Sequence, residues 1–405
     1  MGTRPRTADA ARQGVELADI LRRHADAYRS AHPLASVQHR ALRAIEACRT
    51  EALGGHVAQC DACGELRYHY HSCRNRHCPK CQSLAKERWL AARRAELLPV
   101  PYFHVVFTLP HELNALAQGN PRALYGLLFQ AVSETLIEFG ENPRWLGGSI
   151  AATLVLHTWS QTLGQHLHIH ALVGAGALHP DGHWISASRT FLFPVTALSV
   201  VFRGKFLAGL KRLFHAGGLN FAGSTTVLAD PLASQQLLGT LYEKPWVVYA
   251  KRPFAGPAQV LDYLGRYTHR VAISNHRLVS CEATQVRFRY KDYADDNRHK
   301  VMSLAPAEFI RRFLLHVLPS GFMRIRHYGI LANRAKQAKL TQARATLDCT
   351  PPTPSKSEPE SPQQFWLRVA GRDITLCSHC HAGPVRVLGP IARQRPPAQA
   401  PPKTS

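Results

Sequence analysis

Gln165-His-Leu-His-Ile-His-Ala-Leu-Val173 alternates imidazole and apolar side chains along nine residues, and its periodicity decides the fold. At the two-residue period of a β-strand, His166, His168 and His170 share one face, and Leu167, Ile169, Ala171 and Val173 share the other. The apolar face calls for a layer of helices to bury it, which leaves the histidines lining a cleft. Same-face positions on a strand lie about 6.6–7 Å apart. Two imidazoles at that spacing can converge on one divalent ion, with further ligands supplied from elsewhere in the chain. A purely structural row is disfavoured, because every buried imidazole would need its own hydrogen-bond partner.

Around this strand, residues 101–345 read as a mixed α/β body. Strand-like runs occur at Phe103–Leu109, Ala152–Leu156 and Val286–Tyr290, and helical runs at Pro121–Ile137 and Phe202–Phe214. Residues 1–47 form a helical region, with Val15, Leu17, Ile20 and Leu21 near helical spacing. Residues 48–100 hold a segment dense in Cys, His and Arg that is expected to form little regular structure without a metal. Residues 346–405 turn rich in Pro and Ser and are expected to be a linker and a disordered tail with a lone CxxC.

The chain has 405 residues, 50 Lys and Arg against 27 Asp and Glu, and a formal charge of +23. A hydrophobic share of 45% is ordinary for a folded protein and excludes wholesale disorder. The charge surplus points to a polyanion. The polar, basic start has no apolar core of a signal peptide, and the longest apolar runs are too short to span a bilayer. Six of the ten cysteines fall between Cys48 and Cys81, among histidines, a pattern of metal binding in a reducing cytosol. Nucleic acid in the cytoplasm, with association with a bacterial-type nucleoid, is therefore the expected partner and place, and no membrane is involved.

Cys60-Asp-Ala-Cys63 and Cys78-Pro-Lys-Cys81 are two knuckles separated by fourteen residues. Together they can supply the four thiolates of a tetrahedral structural zinc site. Cys48, His56, Cys73 and His77 are further ligands for a second site or for exchange within the first. Arg74, Arg76 and Lys80 within the module would present cations to phosphates. Cys377-Ser-His-Cys380 is half a site without an evident partner, and an exposed flexible segment is the expectation there.

A second chemical element follows at Gly256–His269. Pro257 suits the first turn of a helix, and Tyr263 and Tyr267 then stand one turn apart on one face. A phenol, with a pKa near ~10, needs activation to attack phosphorus. A metal held by imidazoles can polarise a phosphate and stabilise the charge that develops on it. The product would be a phosphotyrosine that conserves the phosphodiester for rejoining, and two tyrosines permit two successive exchanges.

Taken together, these residues resemble the HUH single-strand nucleases, and more closely the rolling-circle, two-tyrosine transposases of the insertion-sequence ninety-one family. The resemblance runs through Asn75–Gln82, His168-Ile-His170, Tyr263–Ser274, Phe288–Tyr293 and Phe322–Gly329, and covers most of Cys48 to Lys339. It implies an α+β chain: a ferredoxin-like catalytic domain with an antiparallel sheet, preceded by a small helical and zinc-binding module. It also implies Tyr263 and Tyr267 as nucleophiles and His168 and His170 as ligands of Mg²⁺ or Mn²⁺. A 5′-phosphotyrosine and a free 3′-OH would be the products. His166 offers an alternative register. The third ligand is not fixed by the resemblance; His269, Asn275 and His157 are candidates, and His269 is preferred.

From Phe309 to Leu347 there is no Asp or Glu, while Arg311, Arg312, Arg324, Arg326, Arg334 and Lys336 are among eight cations. Interleaved with Phe322 and Tyr328, they suit a single strand of DNA such as an element end, and Arg266 in the tyrosine segment adds to them. No G-x-x-x-x-G-K-[ST] loop occurs, so no nucleotide cofactor is expected and unwinding would fall to supercoiling or a host helicase. Transposition is the favoured function. A rolling-circle replication initiator with the same chemistry is the alternative enzyme, and a non-catalytic zinc-dependent DNA-binding regulator the alternative of another class.

Overall fold

The structure is a computed structural model that describes residues 14–187, 191–254, 259–260, 265, 272–349 and 360–394. In chain order these form α1 (Leu17–Ala31), α2 (Ser36–Glu46), β1 (Gly55–Cys60), β2 (Leu66–Tyr70), α3 (Gln82–Arg94), β3 (Tyr102–Thr108), α4 (Asn114–Gly119) and α5 (Pro121–Glu141). There follow β4 (Ser149–Trp159), β5 (Gln165–Leu178), β6 (Trp184–Ser186), α6 (Val195–His215), α7 (Pro231–Glu243), β7 (Val248–Ala250) and β8 (Leu278–Cys281). The chain continues through β9 (Val286–Asp292), β10 (Arg298–Leu304), α8 (Pro306–Leu314), β11 (Ile325–Gly329), α9 (Lys336–Thr346), α10 (Pro362–Ala370) and β12 (Val385–Ile391). Two compact units result: residues 1–82 with 353–405, and residues 83–352.

The larger unit is organised by the sheet β11-β4-β5-β3-β7, with β6 added against β5 and every pairing antiparallel. Taking β3, α5, β4, β5, α6 and β7 in sequence gives a β-α-β-β-α-β unit whose strands lie in the order β4-β5-β3-β7. This is the ferredoxin-like arrangement, extended at one edge by β11. The apolar phase of each strand makes the core. Phe103, Val105 and Phe107 of β3, Ala152, Leu154 and Leu156 of β4, and Leu167, Ile169, Ala171 and Val173 of β5 pack with Leu124, Leu128 and Val132 of α5 and Phe202, Phe206 and Leu210 of α6. The period-two pattern of β5 therefore places its aliphatic residues under the helices.

The opposite face is divided. Toward one end it is apolar: Tyr102, Ala151 and Leu172 meet Leu98, Val100, Val260, Ile330, Leu340 and Ala343, with Trp89 and Leu90 of α3 alongside. Toward the other end it carries the histidines. Gly329 lets β11 close this edge: it has φ 63°, and a Cβ there would lie 1.8 Å from the carbonyl oxygen of Ile150. In the same unit, β8, β9 and β10 form an antiparallel sheet covered by α8, with Phe288 and Phe309 in edge contact.

The β4–β5 turn is held by side chains from later in the chain. Leu163, buried, adopts φ 61°, a conformation that a branched residue takes only when its surroundings impose it. His316 Nε2 donates to the Leu163 carbonyl at 3.0 Å, and Arg312 Nη1 donates to that of Thr162 at 3.0 Å. Arg277 Nη2 donates to the carbonyl of Gln161.

The smaller unit pairs α1 with α2 through Leu17, Ile20, Leu21, Leu42 and Ile45, all buried. Its sheet has the order β12-β1-β2. This corrects two expectations. Residues 48–82 contain a hairpin, and residues 360–394 are no structureless tail: Ser361 and Gln364 form a capping box that starts α10, and β12 adds a strand to β1. Residues 350–359 and 395–405 lie outside the described residues. Among the described residues no helix is long and apolar enough to cross a membrane.

Burial drives the His316 pKa down from its ordinary value to about 4. Folding therefore holds it neutral while the unfolded chain protonates near pH 6.5. Its contribution is complete above pH 6.5 and is lost as pH falls from there toward 4, at most about 3 kcal/mol at 1.36 kcal/mol per pKa unit. Urea midpoints measured from pH 7 to pH 4.5 are expected to fall accordingly, and to fall less steeply in His316→Gln. An unchanged slope in that variant would refute the assignment.

Candidate functional site

Two cysteine tetrads form within the smaller unit. Cys48, Cys73, Cys78 and Cys81 make one; Cys60, Cys63, Cys377 and Cys380 make the other. The expected single site from both N-terminal knuckles is thus corrected: the β1–β2 hairpin separates them, and each finds different partners. In the first tetrad Cys81 Sγ lies 3.5 Å from Cys48 Sγ and 3.6 Å from Cys73 Sγ, and Cys48 Sγ lies 3.7 Å from Cys78 Sγ. Four sulfurs at 2.3 Å from a tetrahedral zinc would be about 3.8 Å apart. Sulfurs in a disulfide would be about 2 Å apart. Mutual S–H···S hydrogen bonds hold Cys48 and Cys81 below the ordinary thiol range and Cys73 and Cys78 above it. A dication among them removes that conflict, so the donor set fits zinc.

His56 and His77 belong to neither tetrad. The His56 ring stacks on His69 across the hairpin at 5.0 Å, and the His77 amide donates to Asn75 Oδ1 at 2.9 Å. A further group, His179, Asp181 and His183, sits on the turn between β5 and β6. There both imidazoles donate to Asp181 Oδ1, at 2.8 and 2.5 Å.

On the face of the larger sheet away from α5 and α6, His157, His168 and His170 bring one ligand nitrogen each within 4.8 Å of the others. Register explains the convergence: His157 of β4 pairs with His168 of β5, and Val155 pairs with His170. His168 Nε2 and His170 Nε2 are 3.1 Å apart. The outer nitrogens are both engaged. His168 Nδ1 donates to the His166 carbonyl at 2.9 Å, which leaves its Nε2 with a lone pair. His170 Nδ1 lies 2.8 Å from Nε2 of His104, whose ring stacks on it at 5.0 Å. His104 on β3 is buried, and its burial with Lys251 nearby pushes its pKa down to about 3, so it is neutral. It can accept the His170 Nδ1 proton and leave the inner nitrogen of His170 as a donor of electrons.

The structure thus gathers His157, one of three sequence candidates, rather than reaching it through preference. His166 is exposed on the same face, its ring 4.7 Å from that of His168 and outside the trio. Asn275 begins a short 3₁₀ turn. Tyr263, Arg266, Tyr267 and His269 lie outside the described residues. Of their segment, Gln259, Val260 and Gly265 are helical. Val260 is buried against the histidine-bearing face of the sheet, and a Cβ on Gly265 would meet Leu90 at 3.0 Å. His104 was not singled out from sequence. Its signal was a lone imidazole on the non-core phase of an otherwise apolar strand.

The cations read as a continuous basic face are in part committed internally. Glu308 accepts from Arg311 Nε and Arg312 Nε, both at 2.6 Å, and its carboxyl is held at about 2 by them. Lys336 pairs with Glu96 at 2.6 Å and Lys80 with Glu16 at 2.7 Å. Arg324 is buried, and Arg326 lies over the ring of Phe129 at 4.2 Å. Burial lowers the pKa of Arg76, Arg74 adopts φ 53° beside the first tetrad, and Arg334 is exposed. The acids that neutralise this segment come from outside it, which a local count of charges cannot show.

The sequence matches two family descriptions: "Transposase zinc-binding domain" over residues 20–109 and "Putative transposase" over residues 151–339. A "Putative transposase y4qJ" of Sinorhizobium fredii is 51% identical over 376 residues, 92% of this chain and 94% of the relative. The "Transposase for insertion sequence element IS801" of Pseudomonas savastanoi pv. phaseolicola is 28% identical over 76% of this chain and 74% of its own length. Among solved structures, a conjugative relaxase TrwC in complex with mutant OriT DNA aligns over 27% of this chain and 43% of its own, at 16% identity and a TM-score of 0.22.

Proposed function

The chain belongs to the transposases of the insertion-sequence ninety-one type, and from that membership we propose that it cuts and rejoins single DNA strands through a phosphotyrosine. The observation that carries this reading is the convergence of His157, His168 and His170 on one face of the sheet. The tyrosine assignment rests on the sequence; of that segment, Val260 is buried in the apolar cluster at the other end of the same sheet face.

Three imidazoles that bring one nitrogen each within 4.8 Å of the others fit a divalent first-row ion, and suit Mn²⁺ better than the oxygen-seeking Mg²⁺. Two ligands at right angles about an ion 2.1 Å away would be about 3.0 Å apart, close to the 3.1 Å between the His168 and His170 nitrogens. When bound, the ion would polarise the scissile phosphate and offset charge on its oxygens. The protein's own task is to hold the ligand nitrogens. The His166 carbonyl fixes the tautomer of His168, and His104 fixes that of His170.

In the transfer itself, the phenolic oxygen of Tyr263 or Tyr267 forms a bond to phosphorus as the bond to the 3′ oxygen breaks. The phenol loses its proton and the departing 3′ oxygen gains one. The strand is left as a 5′-phosphotyrosine and a free 3′-OH. The other tyrosine can cut a second strand in the same way, and the 3′-OH it frees then attacks the first phosphotyrosine. A bond from phosphorus to the 3′ oxygen forms as the bond to tyrosine breaks and the phenol regains a proton, so the element is joined elsewhere without a nucleotide cofactor. Element ends presented as single strands are the proposed substrate, with unwinding left to supercoiling or a host helicase. Arg334, exposed in the acid-free segment, is the cation of that segment best suited to contact the strand.

Incubation with labelled single-stranded element ends and Mn²⁺ should yield a protein–DNA adduct that survives denaturant, with less in Mg²⁺. Tyr263→Phe and Tyr267→Phe together should abolish it. His168→Ala and His170→Ala should each reduce nicking at least ~100-fold, while His166→Ala remains active. Adduct formation by the double Phe variant would overturn the tyrosine assignment. For His104→Phe, removal of the partner of His170 should weaken Mn²⁺ binding about 10–100-fold with near-ultraviolet circular dichroism unchanged. Wild-type affinity in that variant would show that His104 does not position the ligand.

A further inference from the structure

We infer that Cys60, Cys63, Cys377 and Cys380 hold a second zinc ion that locks the C-terminal segment into the N-terminal module. The module is then assembled from both ends of the sequence, with the histidine-bearing unit inserted between them.

The first argument is distance. Cys60 Sγ lies 3.6 Å from Cys380 Sγ, and Cys63 Sγ lies 3.9 Å from Cys377 Sγ. These separations bracket the value of about 3.8 Å for four thiolates around zinc and are far too long for disulfides. The second argument is completeness. Cys48, Cys73, Cys78 and Cys81 already make a full tetrad, so Cys60 and Cys63 need other partners, and the C-terminal knuckle supplies them.

The third argument is the surrounding backbone, which is shaped around the four sulfurs. Both pairs are CxxC knuckles. The His379 amide donates to Cys377 Sγ at 3.3 Å, and the chain reverses at His381 with φ 58°. At Gly383 a Cβ would come within 2.8 Å of Cys60 Sγ and 2.5 Å of the Ala62 side chain, so only glycine allows the two knuckles to approach. The Asp61 amide donates to the Pro384 carbonyl at 3.1 Å, and Arg386 pairs with Asp61 at 3.3 Å. From there β12 runs antiparallel to β1, from Cys60 opposite Val385 to Gly55 opposite Ile391. The site therefore sits at the point where the pairing of β1 with β12 begins. It closes a loop of more than three hundred residues, which a three-stranded sheet with exposed Leu66, Tyr68, Val387 and Leu388 would hold only weakly by itself.

Zinc content and thiol protection of the full chain test this directly. Wild-type protein should carry two zinc ions. Brief alkylation with N-ethylmaleimide, mapped by mass spectrometry, should leave all eight tetrad cysteines protected until a chelator is added. In C377S/C380S the zinc content should fall to one, and Cys60 and Cys63 should react at least tenfold faster while Cys48, Cys73, Cys78 and Cys81 stay protected. Two zinc ions retained in that variant, or a reactive Cys377 and Cys380 in wild type, would overturn the proposal. Should the variant lose both ions, C377H decides: an imidazole can replace one thiolate, so recovery of two ions supports the site and failure to recover them refutes it.

Discussion

The register of β4 against β5 is the constraint on which the rest of the larger unit depends. Side chains alternate faces along each strand, so a slip of one residue would turn His157 into the helix-packed core and bring Thr158 to the histidine-bearing face. The hairpin that sets this register is tight and contains Leu163 in an unfavourable backbone conformation. Its cost is offset by burial of the Leu163 side chain and by donors from His316, Arg312 and Arg277 to consecutive carbonyls. Those three residues come from sequence more than a hundred positions downstream. The histidine trio thus depends on tertiary contacts: donors from the later part of the chain hold the turn that sets the register.

This also explains what could be read in advance. The β5 histidines and their apolar counterphase follow from a local period of two, and local periodicity survives in any single sequence. His157 is in the same class of observation as His269 or Asn275 until the hairpin register is known, because cross-strand pairing leaves no mark on spacing. His104 was missed for a related reason. Its neighbours Phe103, Val105 and Phe107 define the core phase of β3, and a lone imidazole on the other phase is ordinary unless the adjacent strand is seen to carry His170. Of the long helices, α5 was legible nearly to its ends and α6 only from Phe202, while α3, α7, α8 and α9 were not read from the sequence. For α10 the signals were present too, in Ser361 with Gln364 at its start and Gly371 at its end, but the proline-rich flanks outweighed them.

The cysteines mislead in an instructive way. Two CxxC knuckles at near-ribbon spacing look like one site, since metal motifs are normally read along the chain. Here each knuckle is half of a different site. The Cys78–Cys81 knuckle is completed by Cys48 and Cys73 nearby; the Cys60–Cys63 knuckle is completed from the far end of the sequence. Ligand chemistry was readable, but ligand pairing was not, because it follows from the β1–β12 alignment rather than from separation in sequence.

Charge obeys the same logic, and it changes how a basic sequence should be interpreted. The surplus of +23 is a property of the whole chain, but affinity for a phosphate depends on which cations lack a competing carboxylate. Glu308 at the head of α8 draws in Arg311 and Arg312, and Arg312 then uses its other nitrogen to hold the β4–β5 turn. Lys336 is drawn to Glu96 in the segment before β3. These cations secure the scaffold that aligns the histidines. Among the described residues, what is left for DNA in this segment is a smaller set that includes the exposed Arg334. A stretch without acids in the sequence is therefore a weaker guide to a nucleic-acid path than the few cations whose partners the fold does not provide.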